Sequence, residues 1–354
     1  MMIYHSYISK SLLLFFLAKV LIAGGFDQDD NATNIVEIID LINPAFKCKW
    51  NDERTSISRS RAERSSSIGG IVQNQPLLCC GEFETCIILN SDQELQLMER
   101  RRFASSVVLN ETRLWVIGGV DERWKNVNSS EFISLDQPVE DGPKLPINVS
   151  HHCMVQVDSK SIYLIGGRQN SGFSQDTWII DPTNSFAIKK GPKLNYAREG
   201  HSCATMRLNN KTFIVVLGTG SFFDESIRIE ILDTSLPTNT WKIAEGIAPC
   251  RHGSTLITSP TNKGVIMIGG SKPGDVGHEP SSLLYELSGD SDNNLTWTKL
   301  DRKLDTARSS HVSFSIPKDC IPLKVVNRKK ASSETNRSEP FGHSLWEITE
   351  MIRE

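Results

Sequence analysis

Residues 114–119 read Leu114-Trp-Val-Ile-Gly-Gly119, and five further apolar runs of similar pattern end in a glycine and the residue after it. They are Val20-Leu-Ile-Ala-Gly-Gly25, Leu77-Leu-Cys-Cys-Gly-Glu82, Ile162-Tyr-Leu-Ile-Gly-Gly167, Ile214-Val-Val-Leu-Gly-Thr219 and Val265-Ile-Met-Ile-Gly-Gly270. The runs recur about every 50 residues, a period typical of repeat architectures. A short unbroken apolar run indicates a buried strand, and glycine allows a tight turn where a side chain would clash. The chain is therefore predicted to repeat one strand-rich unit six times.

Segments on either side of each run supply the other strands of the unit. The upstream segments pass from polar to small residues and begin with a basic residue or histidine, as in Arg102–Leu109, Ser150–Val155 and Arg198–Ala204. Examples of the downstream segments are Ile35–Asp40, Ile227–Asp233 and Leu283–Leu287, and a tryptophan or its neighbours mark the last strand, as at Trp50, Trp241 and Trp297. Four strands per unit make the blade of a β-propeller.

The two chain ends are predicted to share one blade. The first glycine pair, Gly24-Gly25, has no upstream segment, whereas a spare copy, Arg308-Ser-Ser-His-Val-Ser-Phe-Ser315, follows the sixth unit. We expect this copy to form the inner strand of blade 1, because ring closure leaves no long open sheet edge. The sequence thus predicts one all-β domain of six blades over residues 19–320.

The six glycine motifs, taken as a set, resemble the kelch repeat. The resemblance covers roughly residues 19–320 and implies a six-bladed kelch-type β-propeller closed by the C-terminal strand. Two units depart from the motif, with Cys80-Gly81-Glu82 in the second and Gly218-Thr219 in the fifth, so their turns are expected to be rearranged. The short spacing after the second motif predicts that blade 2 lacks a full outer strand.

The N-terminal residues resemble a secretory signal peptide. Met1–Lys10 is short and weakly basic, and the apolar run Ser11–Ala18 is too short to span a bilayer, which takes roughly 20 residues. Residues 1–18 are therefore interpreted as a leader whose cleavage spares Lys19–Gly25, although cleavage after Ala23 would remove that strand. A buried segment or a misread start codon is the alternative.

Sequons and cysteines agree with export. Asn-X-Ser/Thr sequons stand at Asn31, Asn110, Asn128, Asn148, Asn210, Asn294 and Asn336. The cysteines are Cys48, Cys79, Cys80, Cys86, Cys153, Cys203, Cys250 and Cys320. Their even number fits up to four disulfides in an oxidising compartment, with the connectivity left open.

Charge and spacing argue against other ligand classes. The net charge is −3, and the basic tracts Arg59–Arg64 and Arg328–Lys330 are short, so a nucleic-acid partner is not expected. The cysteines lack the paired spacing of a zinc site, and neither a metal nor a cofactor is expected. No transmembrane segment is expected, the oligomeric state is left open, and residues 321–354 are interpreted as a flexible polar tail.

No catalytic residue is predicted. A resemblance to galactose oxidase would require a tyrosine cross-linked to a cysteine, and Tyr163, Tyr196 and Tyr285 have no matching cysteine motif. The segment Asp290–Trp297 resembles a sialidase Asp-box but lacks its central glycine, and no Gly-x-Ser-x-Gly elbow occurs. Neighbours on a strand point to opposite faces, so one of His151 and His152 is expected to pack between blades rather than bind a metal.

Basic residues at the start of the inner strands are the candidate ligand site. They are Arg64, Arg102, Arg198, Arg251 and Arg308, with His152 near that place in the remaining unit. Kelch-repeat adaptors of ubiquitin ligases grip acidic peptides with arginines here, so the resemblance implies a basic channel mouth that takes a carboxylate. The alternative is that these arginines bond backbone carbonyls of the next blade, and Glu199 is expected to neutralise part of the ring.

The favoured hypothesis is a secreted or lumenal module that binds a protein or glycan on a loop face without catalysis. One alternative is an enzyme resembling the six-bladed kelch sialic-acid mutarotases, with acid–base groups such as Glu199 and Arg102 around the channel. Another is an intracellular adaptor or actin-binding scaffold, although that family usually carries an N-terminal dimerisation domain for which there is no room. The sequence does not name the ligand, since propeller specificity lies in the loops.

Overall fold

The structure is a computed structural model, and the part of the chain that it describes consists of residues 19–29, 31–33, 35–42, 48–49, 67–81, 83–89, 91, 93–218, 228–236, 238–247, 249, 252–272, 279–292 and 294–316. Every regular element within these ranges is a β-strand, and they contain no helix long and apolar enough to cross a membrane. The predicted leader (1–18) and tail (321–354) lie outside the described residues.

The first three blades are antiparallel sheets, and apart from the strand that closes blade 1 their neighbouring strands follow one another in sequence. Blade 1 contains β1 (Lys19–Ala23), β2 (Val36–Asp40) and β3 (Cys48–Lys49). Blade 2 contains β4 (Ile68–Val72), β5 (Gln75–Cys79), β6 (Thr85–Ile88) and β7 (Glu94–Gln96). Blade 3 contains β8 (Ser105–Leu109), β9 (Arg113–Ile117), β10 (Ser130–Ile133) and β11 (Glu140–Asp141).

Blade 5 keeps the four-strand plan, and blades 4 and 6 add short strands to it. Blade 4 contains β12 (Cys153–Asp158), β13 (Ser161–Ile165), β14 (Arg168–Gln169), β15 (Gly172–Phe173), β16 (Thr177–Asp181) and β17 (Ala187–Lys190). Blade 5 contains β18 (Ser202–Leu208), β19 (Lys211–Leu217), β20 (Arg228–Asp233) and β21 (Lys242–Ile247). Blade 6 contains β22 (Thr255–Thr258), β23 (Gly264–Ile268), β24 (Ser271–Lys272), β25 (Glu279–Ser291) and β26 (Asn294–Arg308).

The last strand, β27 (Val312–Ile316), closes the ring as predicted. It pairs antiparallel with β1, with Leu21 opposite Phe314, and gives blade 1 the order β27-β1-β2-β3. The innermost strands contact one another in a closed circle, β27, β4, β8, β12, β18, β22 and back to β27. The prediction of a six-bladed propeller closed by its C-terminal strand is therefore confirmed.

The apolar runs are unbroken because both faces of each second strand are buried against a neighbouring blade. In β9, Leu114 and Val116 pack with blade 2, whereas Trp115 and Ile117 pack with blade 4. Successive side chains of a strand point to opposite faces, so a strand between two blades needs apolar residues at every position. Burial between blades therefore selects the pattern that repeats along the chain.

The glycine pair lies where the second strand ends, and its second residue is close to the segment that leads into the inner strand of the same blade. Gly119 has a φ of +100°, and a Cβ there would lie 2.7 Å from the Arg102 carbonyl oxygen. In blade 2, β5 ends at Cys79, so Cys80 and Gly81 take the place of the pair, with φ values of 64° and 80°. The turn of blade 2 thus keeps the left-handed geometry with a cysteine at its first position. Thr219 in blade 5 lies outside the described residues.

Blade 2 corrects one prediction. It has an outer strand, β7, which pairs with β6 through Glu94 and Ile87 and is three residues long. The blade saves length because β6 begins at Thr85, soon after β5 ends at Cys79, and β7 follows β6 after a short loop. A disulfide between Cys79 and Cys86, which are directly opposite in β5 and β6, ties its middle strands together.

Candidate functional site

Three buried arginines repeat the same contacts in blades 1, 3 and 5. Arg198 donates from Nε to Glu230 at 2.9 Å, and also to the carbonyls of Gly218 and Arg228. Arg101 makes the corresponding bonds to Glu131, Gly118 and Ser129, and Arg308 makes them to Glu37, Gly24 and Ile35. Each arginine thus joins the segment before an inner strand to the third strand and the glycine turn of that blade.

These contacts change the predicted arginine ring. Arg198 and Arg308 are 1% and 0% exposed, so their guanidinium groups present no open surface to a ligand. In blade 3 the residue in this place is Arg101, whereas Arg102 lies one position further and is partly exposed. Arg64 and Arg251 lie outside the described residues.

His152, the sixth member of that ring, is buried between blades. Its ring lies against Gly118 of blade 3, where a Cβ would come within 3.0 Å of Cε1. His201 and His311 occupy the same kind of place against Gly166 and Gly269 of the preceding blades. Burial lowers the pKa of each of these three histidines to about 3, so they are neutral packing groups at pH 7.

A rim of left-handed residues surrounds the channel where the inner strands begin. Its described members are Phe103, His151, Gly200, Gly253 and Ser310, all with positive φ. Backbone hydrogen bonds link them from blade to blade: His151 donates to Phe103, Gly200 to His151, and Ser310 to Gly253. The rim is asymmetric, because blades 3 and 4 contribute rings whereas blades 5 and 6 contribute glycines.

Four side chains on the ring-bearing part of this rim form what we call the mouth cluster: Arg102, Phe103, Trp124 and His151. Phe103 stacks on His151 with centroids 3.9 Å apart and lies 6.5 Å from Trp124. The Arg102 guanidinium carbon lies 4.5 Å from the Trp124 ring centroid. Trp124 is 61% exposed, although it stands in a tight loop.

The loop that carries Trp124 is held by its own hydrogen bonds. Asp121 Oδ1 accepts the backbone N–H groups of Arg123 and Lys125, and the Asp121 N–H donates to the Lys125 carbonyl. The Trp124 N–H donates to the Asp121 carbonyl. An aspartate that bonds the backbone two residues ahead is a typical turn stabiliser, so the indole is presented from a defined backbone.

An ion pair lies beside the mouth cluster on blades 4 and 5. Arg168 donates to both carboxylate oxygens of Glu199, with 2.7 Å between Nη2 and Oε1, and its guanidinium carbon lies 5.1 Å from the Phe173 ring centroid. Glu199 thus neutralises Arg168 of the β14–β15 hairpin, whereas the partner of Arg198 is Glu230. In this part of the mouth, the charge of Arg168 is therefore compensated by Glu199.

His151 is neutral in this setting. Burial lowers its pKa to about 4, which outweighs the opposite effect of the Glu199 carboxylate, and the nearby Arg168 and His252 lower the pKa further. A neutral imidazole has one donor and one acceptor nitrogen. The described residues contain no group of three or more His, Cys, Asp or Glu side chains placed to hold a metal ion.

Cysteines and sequons are placed as follows. A second disulfide, Cys153–Cys203, joins the inner strands of blades 4 and 5, and Cys80 is buried in blade 2. Cys250, Cys320, Asn336 and the side chain of Cys48 lie outside the described residues. The exposed sequon asparagines are Asn31, Asn110, Asn148, Asn210 and Asn294. Asn128 is half-buried and donates from Nδ2 to the Leu145 carbonyl.

The closed ring of four-stranded sheets, with its glycine turns, defines this chain as a kelch-like β-propeller. Among solved structures, the protein YjhT is similar, with a TM-score of 0.56 and 12% sequence identity over 71% of this chain and 87% of that chain. No protein-family model matches the chain. At this identity the similarity shows the fold alone, and function rests on the residues of the site.

Sequence reasoning missed most of the mouth cluster. Arg102 is among the predicted ligand-binding residues, but Phe103 and Trp124 are not, and His151 was weighed only as a metal ligand or as a residue packed between blades. The available signal was Trp124, because a tryptophan within the charged segment Asp121–Lys125 is not explained by strand burial. Its place beside Phe103 depends on the approach of two loops that are separated in sequence.

Proposed function

We propose that this protein is a secreted or lumenal binding module that takes a protein or glycan ligand at the mouth cluster without catalysis. The observation that carries the proposal is Trp124, an indole that is 61% exposed at the tip of a hydrogen-bonded loop beside the channel. Tryptophan and arginine dominate the energetics of binding surfaces, and Arg102 lies directly over this ring.

The cluster is suited to binding because its groups are already ordered. Phe103 and His151 are stacked and belong to the hydrogen-bonded rim, so their backbone is fixed before a ligand arrives. A ligand that contacts ordered side chains loses less conformational entropy on binding. Aromatic faces supply apolar contact, and the polar atoms around them supply orientation.

Export is supported by the cysteines and the sequons. The pairs Cys79–Cys86 and Cys153–Cys203 stand at disulfide geometry, and disulfides persist mainly in oxidising compartments. Exposed turn asparagines, such as Asn110 and Asn210, are accessible to a glycosylating enzyme. An intracellular adaptor would gain nothing from either feature.

A sugar-modifying enzyme is the second candidate, and the observation that favours it is the neutral His151 near the Glu199 carboxylate. A neutral imidazole could accept a proton from a substrate hydroxyl. Against this candidate, Glu199 is engaged by two nitrogens of Arg168 and is therefore a poor proton carrier. Sugar-anomer exchange followed by NMR, with and without protein, discriminates the two candidates.

The test is a screen of the secreted protein against glycan arrays and extracellular protein libraries, repeated with Trp124→Ala. We expect at least one ligand whose affinity falls 10-fold or more in the variant, as for loss of a central aromatic contact. Leu236→Ala is the matched control, because Leu236 is 59% exposed in the β20–β21 loop on the opposite face. A ligand lost equally in both variants, or unaffected by Trp124→Ala, would contradict the proposal.

A further inference from the structure

A buried hydroxyl connects His151 to an amide of blade 3. Ser150 Oγ lies 2.7 Å from Asn126 Oδ1 and 2.9 Å from His151 Nδ1. Ser150 is fully buried, and its backbone pairs with Arg168 on both sides. The serine hydroxyl therefore has a fixed position with two fixed neighbours, one on the loop before β10 and one on the rim.

The protons in this chain of contacts have one consistent arrangement. A hydroxyl carries a single proton, and an amide oxygen only accepts, so the Ser150 proton lies on the bond to Asn126. Ser150 Oγ can then only accept from His151, which places the imidazole proton on Nδ1. In a neutral imidazole the other nitrogen, Nε2, is then an acceptor with an available lone pair.

We propose that Asn126 and Ser150 hold His151 in the Nδ1–H tautomer, so that the mouth cluster selects a ligand group that donates an uncharged O–H or N–H to Nε2. This inference rests on the proposed function for the existence of a ligand, but not for the tautomer. Asn126 and Ser150 are positioning residues, and His151 is the residue that contacts the ligand.

Several observations agree with a donor rather than a carboxylate as the preferred ligand group. Within the described part of the chain, no residue hydrogen-bonds His151 Nε2, and Phe103 covers one face of the ring. The neighbouring carboxylate of Glu199 would repel an anion, and Arg168 is bound to that carboxylate on two nitrogens. Burial lowers the pKa of His151 to about 4, so the ring does not become a cation near pH 7.

The tautomer is measured by long-range proton–nitrogen NMR on protein labelled with nitrogen-15 in its histidines, with His151→Gln to assign the signals. We expect the nitrogen shift of Nδ1 to be that of a protonated atom and the shift of Nε2 to be that of a bare one. The reverse pattern in the unaltered protein overturns the inference.

Variants of Asn126 separate positioning from general structural support. In Asn126→Asp the carboxylate still only accepts, so the Nδ1–H form should persist. In Asn126→Ala the Ser150 proton is released to donate to Nδ1, so the Nε2–H form should become the major one. Equal tautomer populations in Asn126→Ala and the unaltered protein would show that the amide does not position the imidazole.

The ligand class is tested with acetamide and acetate, which share shape but differ in whether they donate. Each is titrated at pH 7 while the Nε2 signal is followed. We expect acetamide to shift that signal and acetate to leave it in place, and a shift by acetate alone, or by neither, overturns the proposed selectivity. The Trp124→Ala screen reports on ligand binding independently, so failure of either proposal is visible without the other.

Discussion

The buried pair of Arg198 and Glu230 gives the most demanding test of how the blades are held. Its side chains are 1% and 0% exposed, and they approach to 2.9 Å. Replacing the arginine by methionine keeps most of the apolar volume but leaves a carboxylate buried without its counter-charge. The protein is therefore expected to lose stability far beyond what the lost aliphatic contacts would cause.

The magnitude follows from the surroundings of Glu230. Removing one partner of a buried ion pair typically costs about 3–5 kcal/mol. Asn195 donates its backbone N–H and its Nδ2 to the same carboxylate, at 2.6 and 2.9 Å, which compensates part of the loss. We therefore expect Arg198→Met to reduce the free energy of unfolding by about 3 kcal/mol, near the lower end of that range.

The double variant Arg198→Met/Glu230→Met should regain part of this loss, because no charge is then buried alone. Blade 4 shows that the fold accepts an apolar pair at these two positions. Val149 occupies the place of the arginine, because its carbonyl accepts the Gly119 N–H as the Arg198 carbonyl accepts the Gly167 N–H. Trp178 occupies the place of the glutamate in the third strand. Recovery should be incomplete, since the N–H groups of Asn195 would lose their acceptor, at about 1–3 kcal/mol.

Urea unfolding followed by tryptophan fluorescence measures these differences, with Lys211→Met as the control in the same blade. Lys211 pairs with Asp233 at 2.8 Å, but its side chain is half exposed, so its loss should destabilise the protein far less than the loss of Arg198. The reasoning fails if Arg198→Met is no more destabilising than Lys211→Met, or if the double variant is less stable than the single one.

Three further predictions concern the ring. Because Cys153 and Cys203 join the inner strands of blades 4 and 5, Cys203→Ser should lower the unfolding midpoint of oxidised protein and leave that of reduced protein nearly unchanged. Burial lowers the pKa values of His152, His201 and His311 to about 3, whereas histidine in an unfolded chain titrates near 6.5. The unfolded chain therefore binds more protons than the folded protein between these pH values, so the free energy of unfolding should fall steadily from pH 6.5 towards pH 3. Replacing one of these histidines by glutamine should reduce the slope of that fall. A chain that ends before β27 should expose the edge of β1 and aggregate, whereas a chain that ends directly after β27 should remain monodisperse in light scattering.

The sequence predicted much of the fold because strand burial and turn geometry impose the same local residue pattern on each unit. A strand buried on both faces, such as Leu114–Ile117, must be apolar at every position, and the turn after it needs glycine. Ring closure was also predictable, because the inner-strand segment that the first unit lacks at the N-terminal end is present after the sixth unit at the C-terminal end. Blade 2 was misjudged because Cys80 takes a glycine position and because a three-residue outer strand has little sequence signature.

The site was less predictable because neighbouring arginines have different surroundings. Arg101 and Arg102 are adjacent in sequence, yet one is buried against Glu131 and the other lies over Trp124 at the surface. Only the glutamate near the start of the third strand distinguishes the buried arginines. It lies about 30 residues away along the chain in blades 3 and 5, and near the opposite end of the chain in blade 1.

By itself, the sequence determined the all-β class, the number of blades and the way the ring closes, because these depend on repeated local patterns of burial and turning. The tertiary structure alone decided which charged groups form buried ion pairs inside the blades and which residues meet at the channel mouth. Those outcomes depend on contacts between loops of different blades, such as Asn126 with Ser150 and Phe103 with His151. Such contacts leave no periodic trace in the chain, since each is made once in the molecule rather than once in every repeat.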